Sequence, residues 1–151
     1  MTTVRRSAGP EETEAIGAAL AACLAPGDVV FLLGDLGAGK STLVRAAGRA
    51  LGVEGPMPSP TFTVVQLHRG RVPVAHLDAY RMAGGVDDED AELLADAVAG
   101  AVAFVEWPEA IAHALPAPRV TIRLEHGGGD RRLVHLSAHD HAMAACLEPS
   151  T

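Results

Sequence analysis

The chain has 151 residues, 48% of them hydrophobic and 21% charged, a composition that supports a packed core and excludes wholesale disorder. Its net charge of -7 argues against a direct grip on duplex nucleic acid, which needs a cationic face. No apolar run approaches the roughly 20 residues that span a bilayer.

A first helix is predicted from Pro10 to Leu24, with proline at its start, acids in its first turn, and Ile16, Leu20, Cys23 and Leu24 on one face. Pro26-Gly27-Asp28 breaks it. Val29 to Leu33 reads as a buried strand, continuous and apolar as parallel core strands are. A glycine-rich loop follows, then a helix from Lys40 to Leu51 with Gly52 placed to cap it. Thr61 to His68 and Val72 to Leu77 read as a hairpin turning at Arg69-Gly70-Arg71. Asp87 to Ala99 is an amphipathic helix with acids at its start, and Ala101 to Val105 a short apolar strand. After a helical stretch from Pro108 to Leu115, Arg119 to Glu125 and Arg131 to Ser137 form a second hairpin around Gly127-Gly128-Gly129-Asp130. The tail beyond Ala138 either forms a last helix or frays. The expected fold is α/β, a single domain over residues 1–151 with its core at about 10–138 and a mixed parallel/antiparallel sheet flanked by helices.

No apolar stretch follows Arg5 and Arg6 before the acids of the first helix, so the expected location is the cytoplasm. Cys23 and Cys146 have no Cys or His neighbours at metal-ligand spacing and are expected as reduced, independent thiols.

The loop Gly34-Asp35-Leu36-Gly37-Ala38-Gly39-Lys40-Ser41 fits the phosphate-binding pattern G-x-x-x-x-G-K-[ST]. Glycines let backbone N–H groups turn inward around an anion, and the following helix points its positive end at the phosphates. In that pattern the lysine reaches the β- and γ-phosphates and the hydroxyl ligates Mg²⁺. Lys40 is the only lysine in the chain. A metal-binding acid belongs at a neighbouring strand end, and two candidates qualify: Asp78 and Glu106.

Guanine-reading GTPases carry an Asn-Lys-x-Asp element, which a chain with no asparagine cannot contain. Small-molecule kinases need an arginine-bearing lid, whereas the segment after Arg81 is acidic. A small-molecule kinase and a nucleotide-gated adaptor without useful turnover stay as alternatives. His139-Asp140-His141 in the tail invites a metal reading, for which a solvated tail is the simpler account.

Several motifs in order resemble one family, the TsaE-type ATPases of tRNA threonylcarbamoyladenosine biosynthesis. Gly34 to Thr42 is similar to the family's phosphate loop, and Ser59-Pro60-Thr61-Phe62 to its switch-like segment. His76-Leu77-Asp78-Ala79-Tyr80-Arg81 resembles its His-x-Asp-x-Tyr-Arg box, and Glu106-Trp107-Pro108 its Glu-Trp-Pro turn. The resemblance spans residues 10 to 138. It implies a P-loop core and slow ATP hydrolysis stimulated by the partner subunits that carry out threonylcarbamoyl transfer, with tRNA engaged only through them and neither DNA nor a membrane. The implied cofactors are ATP or ADP and Mg²⁺. Asp35 to Thr42 would hold the phosphates, Ser41, Asp78 and Glu106 would surround the metal, and Lys40, Asp78 and Glu106 would support catalysis. Thr61 would sense the γ-phosphate, Trp107 would wall the pocket, and Thr13 would lie near the adenine. The family's usual threonine is Ser41 here, an equivalent hydroxyl.

Overall fold

The structure, a computed structural model, describes residues 1–35, 37–57, 65–80, 82 and 85–148. β1 (Thr2–Ser7) leads into α1 (Pro10–Ala21), β2 (Val29–Leu33) and α2 (Lys40–Ala50). Then come β3 (Val65–Arg69), β4 (Pro73–Asp78), α3 (Asp88–Val98) and β5 (Val102–Glu106). Two single 3₁₀ turns at Pro108–Ala110 and Ala112–Ala114 precede β6 (Val120–His126), β7 (Arg132–Ala138) and α4 (His141–Leu147).

The strands form one seven-stranded sheet in the order β1-β7-β6-β2-β5-β4-β3. Its four central strands, β6, β2, β5 and β4, run parallel, and the antiparallel pairs lie at the edges. The mixed sheet is the architecture the sequence predicts. β2 and β5 are buried on both faces, which is why they read as unbroken apolar runs. Val30, Leu32, Phe104, Val120 and Ile122 pack beneath α1, α2 and α4, while Val29, Ala75, Leu77, Ala103 and Val105 pack beneath α3 and the 3₁₀ turns.

Three differences from the sequence reading stand out, and the tail takes one of its two expected forms. β1 is unannounced, because an edge strand paired only with β7 is mostly exposed and carries no apolar alternation. α1 stops at Ala21, three residues early, and Cys23 and Leu24 continue as hydrogen-bonded turns to Leu20 and Ala21. The stretch after Pro108 forms two 3₁₀ turns rather than one helix. The tail forms α4, with Asp140 capping the backbone N–H of Met143 at 2.7 Å and Met143, Ala144 and Leu147 buried against the α1 side. Asp140 also takes two hydrogen bonds from Arg119, at 2.8 and 2.9 Å, and Thr121 bonds His139. These side chains fasten the tail, and no group of three metal-ligating residues is found among the described residues.

The cysteine expectation is corrected. Cys23 and Cys146 form a disulfide, with Cα atoms 5.8 Å apart. No local pattern announces the pair, because 123 residues separate the two cysteines and only the packing of α4 beside the end of α1 brings them together. The part of the first hairpin expected at residues 61–64 lies outside the described residues.

Candidate phosphate site

β2 ends at Leu33, and the chain then turns sharply at Gly34, whose φ of 139° lies outside the range of most side chains. A Cβ there would come within 2.6 Å of the Leu124 carbonyl oxygen, so the loop can pass under β6 only as glycine. Gly39, at φ 105°, is the residue before α2 and caps it with no side chain, so the helix presents its backbone N–H end to the loop. Arg132, at the start of β7, donates to the carbonyls of Ala38 at 3.0 Å and Gly37 at 3.3 Å, bracing the outside of the loop. No sequence motif singled out Arg132; its role depends on the β6–β7 hairpin lying beside the loop.

Lys40 is the first residue of α2 and only 4% exposed. Its ammonium donates to the Gly34 carbonyl at 2.7 Å and sits 4.1 Å from the centre of the Trp107 ring, a cation–π contact. Burial pushes the Lys40 pKa below its ordinary value, opposed by the negative charges of Glu106, Asp78, Glu109 and Asp35. The lysine is thus parked against its own loop and an indole, within the field of four acids.

Asp78 and Glu106 are the last residues of adjacent parallel strands and sit side by side in register. Asp78 is half-buried and accepts the Tyr80 backbone N–H at 3.0 Å. Glu106 is 5% exposed, and its carboxylate meets His76 at 2.5 Å. Trp107 follows with φ 53°, the one positive value among the described non-glycine residues. This left-handed turn swings the indole over Lys40, and its edge-on contact with Tyr80, at 5.0 Å, steadies the ring.

One cavity of about 360 Å³ gathers Gly37, Gly39, Lys40, Ser41 and Thr42 with Arg45, Asp78, Glu106 and Trp107. Arg45, a further residue the motif search did not single out, also donates to the Met57 carbonyl at 3.1 Å. Its place one helical turn after Ser41 was available in the sequence as a signal. Asp35 is exposed at the loop's rim and Ala38 is buried beneath it. Thr13 lies under the loop rather than on the cavity wall. It is 2% exposed, and its hydroxyl bonds Ser7 at 2.7 Å. Leu36, Thr61 and Arg81 lie outside the described residues.

A parallel strand, a glycine loop, a helix opening on lysine, and acids at the neighbouring strand ends define a P-loop nucleotide-binding protein. Comparison with known proteins narrows this class. The family described as threonylcarbamoyl adenosine biosynthesis protein TsaE matches residues 7–134. The TsaE protein of Streptomyces coelicolor is 40% identical over 118 residues, covering 76% of this chain and 80% of that protein. That of Bacillus subtilis is 39% identical over 136 residues, covering 88% and 84%. A crystal structure of YdiB from Bacillus subtilis superimposes with a TM-score of 0.79 at 33% identity, covering 97% of this chain and 91% of that one. The chain belongs to the TsaE family.

Proposed function

We propose that the chain is the ATP-binding, slowly ATP-hydrolysing accessory subunit of the machinery that forms threonylcarbamoyladenosine in tRNA, and that it works in the cytoplasm. The observation that carries the reading is one cavity holding a buried lysine under a helix N-terminus beside two strand-end carboxylates. The names of its relatives supply the pathway.

The cavity's charge argues for a divalent cation. Lys40 and Arg45 face Asp78 and Glu106 across it, so a bare polyphosphate would meet carboxylates as well as cations. Mg²⁺ suits the donors present, all oxygen: the Ser41 hydroxyl and the carboxylates of Asp78 and Glu106 would hold it. When bound, it would supply positive charge that neutralises the negative charge developing during transfer.

The chain's own residues do the rest. The loop's N–H groups and those opening α2 orient the phosphates, with Thr42 at the wall of the same cavity. Lys40 leaves the Gly34 carbonyl for the β- and γ-phosphates, exchanging a neutral acceptor for charged ones. Asp78 and Glu106 supply the site's negative charge, Trp107 closes its wall, and Thr61 senses the γ-phosphate. Water attacks the γ-phosphorus and the bond to the ADP oxygen breaks. Thr13 supports the loop next to the nucleoside. The partners are the threonylcarbamoyl-transferase subunits, which hold the tRNA.

Labelled ATP tests the proposal. Phosphate release that rises when the partner subunits are added is the expected result. Label transferred to a small metabolite would make the chain a kinase, and binding without turnover under any condition would make it an adaptor.

A further inference from the structure

His76 lies on β4, two residues before Asp78, and its ring is 1% exposed. Its Nε2 is 2.5 Å from Oε2 of Glu106. A carboxylate accepts, so the imidazole donates from Nε2 and its other nitrogen, Nδ1, needs a partner of its own. That Nδ1 is buried and has no partner among the described residues.

An unpaired buried polar atom is a cost to folding. The neighbouring positions on this face, Val74, Val102 and Phe104, are apolar and completely buried. Without the Glu106 carboxylate to hold, an apolar side chain would suit position 76 better. The ring's hydrogen bond goes to Glu106, and β4 also holds the Glu106 backbone, whose carbonyl accepts the Ala79 N–H at 3.1 Å. Glutamate has three rotatable side-chain bonds, and a carboxylate that must meet a metal or water at one point gains from losing that freedom.

We infer that His76 is a positioning residue: it occupies Oε2 of Glu106 and so fixes which carboxylate oxygen the phosphate cavity receives. The inference rests on the proposed role of Glu106 at the metal and phosphates. Groups that orient metal ligands in this way typically change metal affinity or activity about 10–100-fold when removed.

The test is a double-mutant cycle on the full chain, read by calorimetry of ADP with Mg²⁺ and with chelator, alongside ATP turnover and melting temperature. His76→Leu removes the unpaired nitrogen but also the partner of the buried Glu106 carboxylate, so its melting temperature should fall, while it should bind metal-free ADP equally. Its Mg²⁺-dependent gain in ADP affinity and its kcat should each fall about tenfold. Glu106→Gln should lose the same gain, and the double variant should be no worse than Glu106→Gln alone, because the histidine acts through the glutamate. A second pair guards against a folding failure in His76→Leu. His76→Gln places an amide donor near the Nε2 position and should retain most of the Mg²⁺ response, whereas the shorter His76→Asn should lose it. A folded His76→Leu with the parental Mg²⁺ response, additive losses in the double variant, or equal behaviour of Gln and Asn would each overturn the positioning role. If Glu106→Gln itself leaves the Mg²⁺ response intact, the failure lies with the proposed role of Glu106 and takes this inference with it.

Discussion

Lys40 is desolvated, surrounded by acids and hydrogen-bonded to its own loop, so the isolated site holds its cation in readiness at some cost. Charged hydrogen bonds contribute roughly 1.5–3 kcal/mol each, and every 1.4 kcal/mol is about tenfold in affinity. Lys40→Ala should therefore weaken Mg-ADP binding by at least about tenfold in calorimetry; an unchanged affinity would contradict the phosphate-site reading. Trp107 gives an optical measure of the same event. It is the chain's only tryptophan, and its ring rests on the Lys40 ammonium. If nucleotide draws the ammonium away, the emission should change saturably on titration with Mg-ADP and stay flat in Lys40→Ala. A flat parental titration at concentrations where calorimetry shows full binding would separate the ring from the site. The motif made Lys40 and Ser41 legible from the sequence, because a glycine pattern after a strand has few other uses. Trp107 was legible only as the neighbour of an acid. The left-handed backbone that lays it over the lysine falls between the end of central β5 and the Pro108 turn, which no local pattern announces.

Among the elements, α4 separates what the sequence showed from what it did not. β2, α2 and α3 carried their own signals: a β-branched run, a glycine-bounded helix and an acid-capped helix. α4 has seven residues and gains its order from tertiary ties: the disulfide to Cys23, the Arg5 bond to the Leu147 carbonyl, and Arg119 on Asp140. A cross-link closing so long a loop typically contributes about 2–4 kcal/mol through the unfolded chain. Cys146→Ser, or reduction of the parent, should lower the unfolding free energy in denaturant titration by that order while leaving ADP affinity unchanged, since α4 contributes nothing to the wall of the phosphate cavity. The proposed cytoplasmic location and the disulfide pull in opposite directions. Acid-quenched alkylation of protein taken from cells would count the free thiols directly. The Asp140 cap has its own signature. Hydrogen bonds from Arg119, then from the Met143 backbone, lower its pKa from 3.8 to about 2. A carboxylate with a depressed folded pKa stabilises above its unfolded value and loses that stabilisation as pH falls through the folded one. The parent should therefore lose stability between about pH 4 and pH 2 in a way that Asp140→Asn does not, as acid unfolding followed by circular dichroism would show.

For the whole molecule, charge decides how it meets its substrate pathway. A net charge of -7 repels a polyanion unless a cationic patch overrides it locally. Among the described residues, Arg6, Arg131 and Arg132 make a small candidate: they line a cavity of about 460 Å³ behind the phosphate loop, shared with Glu12. Arg132 is already committed to the carbonyls of Gly37, Ala38, Gly129 and Arg131. Two arginines offset by one acid cannot neutralise a run of phosphates, and counterion release gives a salt slope of only about 0.7–0.9 per phosphate neutralised. The isolated chain should therefore bind tRNA no better than the non-specific range of about 10⁻⁴–10⁻⁶ M, with a nearly flat dependence on salt. Filter binding between low and moderate salt, with and without the partner subunits, distinguishes the routes. Binding that appears only with the partners, and carries their salt slope, fits a subunit that works on tRNA at second hand. Submicromolar binding by the chain alone, falling steeply with salt, would mean that a basic surface dominates despite the net charge, and the partner-docked arrangement would have to be abandoned.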